Sequence, residues 1–170
     1  DFYKNSPFIS LDFCIFRQFI CLDNFDLLFL QTETKRIFNM YCKRLIDKYL
    51  SEWASRDIHK PLLLRGARQV GKSTAVQELS KKFDTFVEIN FEKQPKYKAL
   101  FKDDLDVNRI VPQISAMHGT SIRPGKTLLF LDEIQECPEA IMALRFFKED
   151  MPELHVIAAG SLLEFALKEL

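Results

Sequence analysis

Residues 66–73 read Gly66-Ala67-Arg68-Gln69-Val70-Gly71-Lys72-Ser73, the complete phosphate-loop pattern GxxxxGK[ST]. The chemistry needs these residue types. Glycines permit torsions and a closeness of approach that a Cβ would block, so successive amide N–H groups can turn inward around phosphate oxygens. Lys72 supplies a mobile cation for β and γ phosphates, and the Ser73 hydroxyl is a ligand for Mg²⁺. A helix that begins here points its positive end at the anion. Gly66, Ala67, Arg68, Gln69, Val70, Gly71, Lys72, Ser73 and Thr74 are the candidate nucleotide-binding residues. A glycine-bearing strand-to-helix turn without nucleotide is the bland alternative.

Leu128-Leu129-Phe130-Leu131-Asp132-Glu133 is an apolar run that delivers two adjacent carboxylates at its end. Open α/β sheets bind ligands at the carboxyl ends of their strands. Asp132 is therefore the candidate to hold Mg²⁺ through water, with Ser73 as the other metal ligand. Glu133 is the candidate base or water-orienting group for attack on a γ phosphate. Standing alone, Asp-Glu after a strand is also a solvated turn; its place about sixty residues after a phosphate loop favours the catalytic pair. A weaker third element is Val156-Ile157-Ala158-Ala159-Gly160-Ser161. It would put the Ser161 hydroxyl near the γ phosphate and attacking water, and Ser161 is equally a preferred helix N-cap.

Alternating elements position these residues. Cys42, Leu45, Ile46, Tyr49, Leu50 and Trp53 recur at helical spacing from Met40, with Trp53 the packing anchor against a sheet. Leu62–Leu64 reads as a buried parallel strand, 73–83 as a helix, and 86–91 as a strand with Val87, Ile89 and Phe91 on one face. Residues 95–118 read as a helical excursion with Pro112 near a helix start or a kink. Residues 127–131 form a strand, and Pro138 opens a helix to about Lys148 because proline is tolerated in the first turn. Residues 156–159 make a fourth strand, followed by a helix running to the end. This order predicts a three-layer α/β fold with a mostly parallel sheet and right-handed crossovers.

GARQVGKS, LLFLDEIQECP and HVIAAGS, in this order and spacing, resemble the AAA-type P-loop ATPase domain at the front of many predicted prokaryotic ATPases. The resemblance covers the chain from about Met40. It implies a P-loop NTPase fold with the phosphate-loop strand central in a five-stranded sheet, ATP and Mg²⁺ as cofactors, Asp132 and Glu133 as the Walker B pair, and Ser161 at the sensor-1 position. ATP is implied over GTP because no NKxD-type motif occurs. Such proteins continue into a last strand and a C-terminal domain, so the resemblance implies a downstream domain or protein partner, a fragment lacking that strand and the C-terminal lid, and a bare sheet edge. It gives no arginine finger: Arg65, Arg68 and Arg145 read as flank, exposed loop and helix surface.

Composition bounds the rest. The 170 residues carry 24 basic and 24 acidic side chains and are 47% hydrophobic, which fits one globular domain and supplies no basic field for nucleic acid. Lys81, Lys82 and the lysines of 93–102 interleave with acids and read as a solvated face. Cys14, Cys21, Cys42 and Cys137 form no CxxC pair, and His59, His118 and His155 have no metal-ligand spacing; the histidines read as surface or strand-flanking residues, and the cysteines as those of a reducing, cytoplasmic compartment. Residues 8–30 are apolar but broken by Asp12, Arg17, Asp23 and Asp26, unlike a membrane span of about 20 apolar residues. Residues 1–39 hold eight of the sixteen phenylalanines and no Ala, Gly or Val, the composition of a translated AT-rich stretch. We expect an atypical extension there, a natural start at Met40, and a domain spanning 40–170. Three functions stay open: an ATPase coupled to a partner or absent domain, a nucleotide-gated binding switch, and a small-molecule phosphotransferase. Homo-oligomerisation is compatible with each.

Overall fold

The computed structural model describes residues 41–161 with their side chains and the backbone of residues 9–12. Five strands form one sheet: β1 (Ile9–Asp12), β2 (Leu62–Arg65), β3 (Thr85–Asn90), β4 (Thr127–Asp132) and β5 (His155–Gly160). Their spatial order is β1-β2-β5-β4-β3, and every neighbouring pair is parallel. Four α-helices are present among the described residues: α1 (Leu45–Ala54), α2 (Lys72–Ser80), α3 (Val107–His118) and α4 (Pro138–Asp150). Short 3₁₀ turns cover Pro95–Phe101 and Ile134–Glu136.

Side-chain alternation along the strands assigns the layers, because successive residues of a strand face opposite sides of the sheet. Leu63, Leu129, Leu131, Val156 and Ala158 face a core completed by Ile110 and Ile114 of α3 and by Leu144 and Phe147 of α4. Leu62, Leu64, Leu128, Phe130, Ile157 and Ala159 face the other core, closed by Ile46, Leu50 and Trp53 of α1 and by Ala75, Val76 and Leu79 of α2. Strands β4 and β5 are buried at every position, which is why their sequences are apolar runs without alternation. Each large aliphatic side chain so buried contributes about 1.5–3 kcal/mol of transfer free energy.

The three-layer parallel sheet agrees with the sequence reading, and the details differ at four places. Strand β2 is interior, flanked by β1 and β5, while β5 takes the central place. The sheet edge expected to be bare carries β1, in register Ile9 to Leu62 through Asp12 to Arg65. Helix α1 begins at Leu45 instead of Met40, and its buried stripe is Ile46, Leu50 and Trp53; Cys42, Leu45 and Tyr49 are exposed. The excursion at 95–118 divides into a 3₁₀ turn and α3, with Pro112 in the interior of α3. Asp106 caps α3 by accepting from the Asn108 N–H, and Gly119 ends it in the left-handed region. The helix expected after Ser161, and residues 1–8 and 13–40 of the N-terminal stretch, lie outside the described residues.

Candidate nucleotide-binding site

The chain leaves β2 at Arg65 and enters α2 at Lys72, so residues 66–71 span a strand-to-helix turn at the carboxyl end of the sheet. From β2 the chain crosses to the far edge at β3 and returns through β4 to β5 beside β2. The opening between β2 and β5 is thus the reversal of strand order where α/β sheets bind ligands. Gly66 and Gly71 have φ of 147° and 83°, a region that side-chain-bearing residues rarely adopt. Among the described residues, the non-glycine residues with positive φ are Gln69 and Glu133. Both stand among the residues singled out from the sequence, and such torsions cost about 1–3 kcal/mol that the surrounding structure must hold.

Lys72 is buried, and its Nζ donates to the carbonyls of Gly66 and Ala67 at 2.9 and 2.8 Å, closing the loop around its cation. Ser73, at the start of α2, donates from Oγ to Asp132 Oδ2 at 3.2 Å. Asp132 also accepts from Asn90 Nδ2 at 3.1 Å and from the Glu133 N–H at 3.1 Å. Burial is the largest influence on this carboxyl and raises its pKa; the neighbouring Glu133 adds to the rise, and the Glu133 N–H, Ser73 and Asn90 hydrogen bonds oppose it. A divalent cation here would favour the charged form. A hydroxyl and a carboxylate meeting at one end of the sheet are hard oxygen donors suited to Mg²⁺, and the loop's N–H groups suit phosphate, so the residues present fit both groups.

Glu133 follows β4 directly, and its Oε2 accepts from Gln135 Nε2 at 2.6 Å. Ser161 is half-buried just past β5, and Arg68 Nε reaches its Oγ at 3.5 Å, tying the loop to this strand end. Of the other candidates, Ala67, Arg68, Gln69 and Thr74 are exposed, and Val70 is half-buried against the core beneath α1 and α2. The structure therefore brings Lys72, Ser73 and Asp132 together, with Glu133 and Ser161 at the ends of adjacent strands.

Sequence reading missed three participants. Asn90 ends β3 as Asp132 ends β4, in register with it, and a polar residue closing an apolar strand was the available signal. Gln135 stands two residues beyond Glu133 and carries no motif of its own. Arg44 donates to the carbonyls of Val70 and Gly71 from 26 and 27 residues away, a distance that no local pattern spans.

Arg145 stays on the surface of α4, paired with Glu149. The surface reading of His59 and His155 is corrected, while the strand-flanking one holds, since His59 precedes β2 and His155 opens β5. His59 and His155 are both 5% exposed at the opposite end of the sheet, because their rings pack 3.9 Å apart, centroid to centroid, beside Trp53 and Phe83. Cys137 is a buried thiol; among the described residues, no group of three or more His, Cys, Asp or Glu gathers to hold a metal, and no helix is long and apolar enough to cross a membrane.

A comparison with curated proteins finds no match. The family model described as an AAA domain matches residues 58–170, which takes in the loop, the paired carboxylates and Ser161. On that match, joined to a parallel sheet with a phosphate loop at its strand reversal, the chain belongs to the AAA domain family.

Proposed function

We propose that the chain is an Mg²⁺-dependent ATP-binding and ATP-hydrolysing module whose turnover drives a downstream domain or a protein partner. The observation that carries this reading is the meeting of Ser73 Oγ and Asp132 Oδ2 at 3.2 Å, directly beside the Lys72 that closes the loop. In this reading the amides of residues 66–74 and Lys72 bind the phosphates, and Ser73 and Asp132 would hold the metal, which neutralises charge on the phosphates when bound. Glu133 orients the attacking water, and Ser161 sits between that water and the γ phosphate. A reducing, cytoplasmic setting is part of this reading, drawn from cysteines that form no CxxC pair in the sequence. The unit extends N-terminally of the matched residues, since Ile46, Leu50 and Trp53 of α1 complete one of the two cores.

A second reading is a nucleotide-gated switch with negligible turnover. It is favoured by the Gln135 amide on the Glu133 carboxylate, which engages the group that would orient water. Calorimetric titration of MgATP into the whole chain, with Lys72→Ala beside it, tests the shared premise. Saturable binding that falls by about 100-fold or more in the variant is expected, on the scale of a charge-assisted contact to phosphate. Equal binding by both proteins removes the nucleotide from this loop. Product formation at saturating MgATP then separates the two readings.

A further inference from the structure

Arg44, the residue before α1, lies outside the matched residues 58–170 and reaches the rear of the phosphate loop. Its Nη1 donates to the carbonyl oxygens of Val70 at 2.9 Å and Gly71 at 3.3 Å. The guanidinium lies so close over Gly71 that a Cβ placed there would meet Nη1 at 2.4 Å and Nη2 at 2.7 Å. The left-handed φ is what confines this position to glycine, since a guanidinium at the end of a flexible side chain can shift away from a Cβ. The arginine is itself held: its backbone N–H donates to Asp47 Oδ2 at 2.7 Å, and the Tyr41 hydroxyl donates to Asp47 Oδ1 at 2.6 Å. The guanidinium carbon also lies 5.6 Å from the Tyr41 ring centroid, within cation–π range.

Peptide geometry gives this contact a consequence. A trans peptide is planar, and its C=O and N–H point in opposite directions. The Val70 carbonyl shares a peptide with the Gly71 N–H, and the Gly71 carbonyl shares one with the Lys72 N–H. A guanidinium on the Val70 carbonyl turns the Gly71 N–H to the front, and together with the Ala75 N–H, which donates to the Gly71 carbonyl at 3.1 Å, it holds the Lys72 N–H there as well. Hydrogen bonding at the carbonyl also polarises the amide and strengthens its donor.

We propose that Arg44 is a positioning residue for phosphate binding, holding the Gly71 and Lys72 amides toward the β and γ phosphates of the nucleotide from outside the loop. The inference rests on the ATP reading and deepens it. It makes the segment 41–47 part of the nucleotide site through Tyr41, Asp47 and Arg44, and couples the seating of α1 to nucleotide affinity in both directions.

The test uses the whole chain as wild type, Arg44→Ala, Arg44→Lys and Lys72→Ala. Amide hydrogen exchange without nucleotide is read first. Arg44→Ala is expected to speed exchange at Gly71 and Lys72 by about tenfold or more, with Leu129 and Val156 in the strands unchanged. MgATP titration is expected to show a loss of about tenfold in Arg44→Ala, recovered in part by Arg44→Lys and by millimolar guanidinium ion added to Arg44→Ala, a rescue that a misfolded variant would not give. Unchanged exchange at the two amides overturns the inference, as does wild-type MgATP affinity in Arg44→Ala while Lys72→Ala loses binding. If Arg44→Ala does not fold, Arg44→Lys decides by the same exchange and affinity readouts. Wild-type protein that takes up no MgATP overturns the ATP reading, and the exchange data still decide whether Arg44 orients the amides.

Discussion

The two ends of the sheet treat polar side chains in opposite ways. At the carboxyl end, Lys72, Ser73, Asn90 and Asp132 are each tied to a named partner, and the backbone accepts left-handed torsions at Gln69 and Glu133. At the amino end, the rings of His59 and His155 lie against each other, Trp53 meets both edge-on and Phe83 meets His155 edge-on, and His155 Nε2 lies 3.1 Å from the Ala54 carbonyl. One end holds its buried charged side chains, Lys72 and Asp132, in hydrogen bonds at the mouth of the strands, where a charged ligand can use them. The other removes charge so that α1 can seat on the sheet. Burial lowers His59 from 6.5 to about 4, helped by the neighbouring His155, and burial lowers His155 as well. Strand direction accounts for the asymmetry: parallel strands bring the phosphate-loop turn, Asp132 and Ser161 out at one end together.

The largest effect that would sharpen this contrast is expected at Glu133. Glu133→Gln should lower the steady-state ATPase rate by about 10²–10⁴-fold, the range of a lost general base, with MgATP affinity within a few-fold of wild type. Undiminished turnover would remove Glu133 from the chemistry and leave the carboxyl end as a binding surface.

A smaller effect is expected at the amino end, in stability alone. Below 6.5 the unfolded chain takes up protons on both histidines; folded His59 refuses its proton until about pH 4, and burial makes His155 resist protonation in the same direction. The contribution of His59 to stability is therefore intact above 6.5 and is lost as the pH falls toward 4, with that of His155 lost in the same direction. The thermal midpoint should drop across that window, and the double replacement His59→Phe with His155→Phe should flatten the drop while leaving MgATP affinity at pH 8 unaltered. Equal slopes in the two proteins would assign the pH dependence to other groups. Changed affinity at pH 8 would break the separation of the two ends.

The smallest effect is expected from Asn90→Ala, which removes one hydrogen bond to Asp132 and leaves those from Ser73 and the Glu133 N–H. A few-fold rise in the Mg²⁺ concentration needed for half-maximal ATP binding is expected. No change would make Asn90 a strand-end residue with no share in the site.

Much of this was legible before any coordinates. The glycine and lysine spacing of 66–73 announced the loop because one tight turn must satisfy torsion, charge and helix-start requirements within eight residues. The apolar runs 128–131 and 156–159 announced buried parallel strands, since a strand covered on both faces has no polar side. Helix α4 followed from Pro138, whose missing N–H costs nothing in a first turn. The burial of His59 and His155 was not legible because a lone imidazole in sequence carries no mark of it; a neighbour brought from far along the chain supplies it, as the Ala54 carbonyl, 101 residues from His155, does.

By itself, then, the sequence determined the alternation of elements, the loop and the order in which the carboxylates follow it, all local properties of spacing and residue type. Tertiary structure alone decided that β5 occupies the centre of the sheet, that β1 lies against β2, and that Asn90 shares Asp132 with Ser73. It alone brought Arg44 to the back of the loop. These pairings join residues far apart in the chain through hydrogen bonds whose partners are chosen by which strands and helices pack side by side, and no periodicity within a single segment encodes that choice.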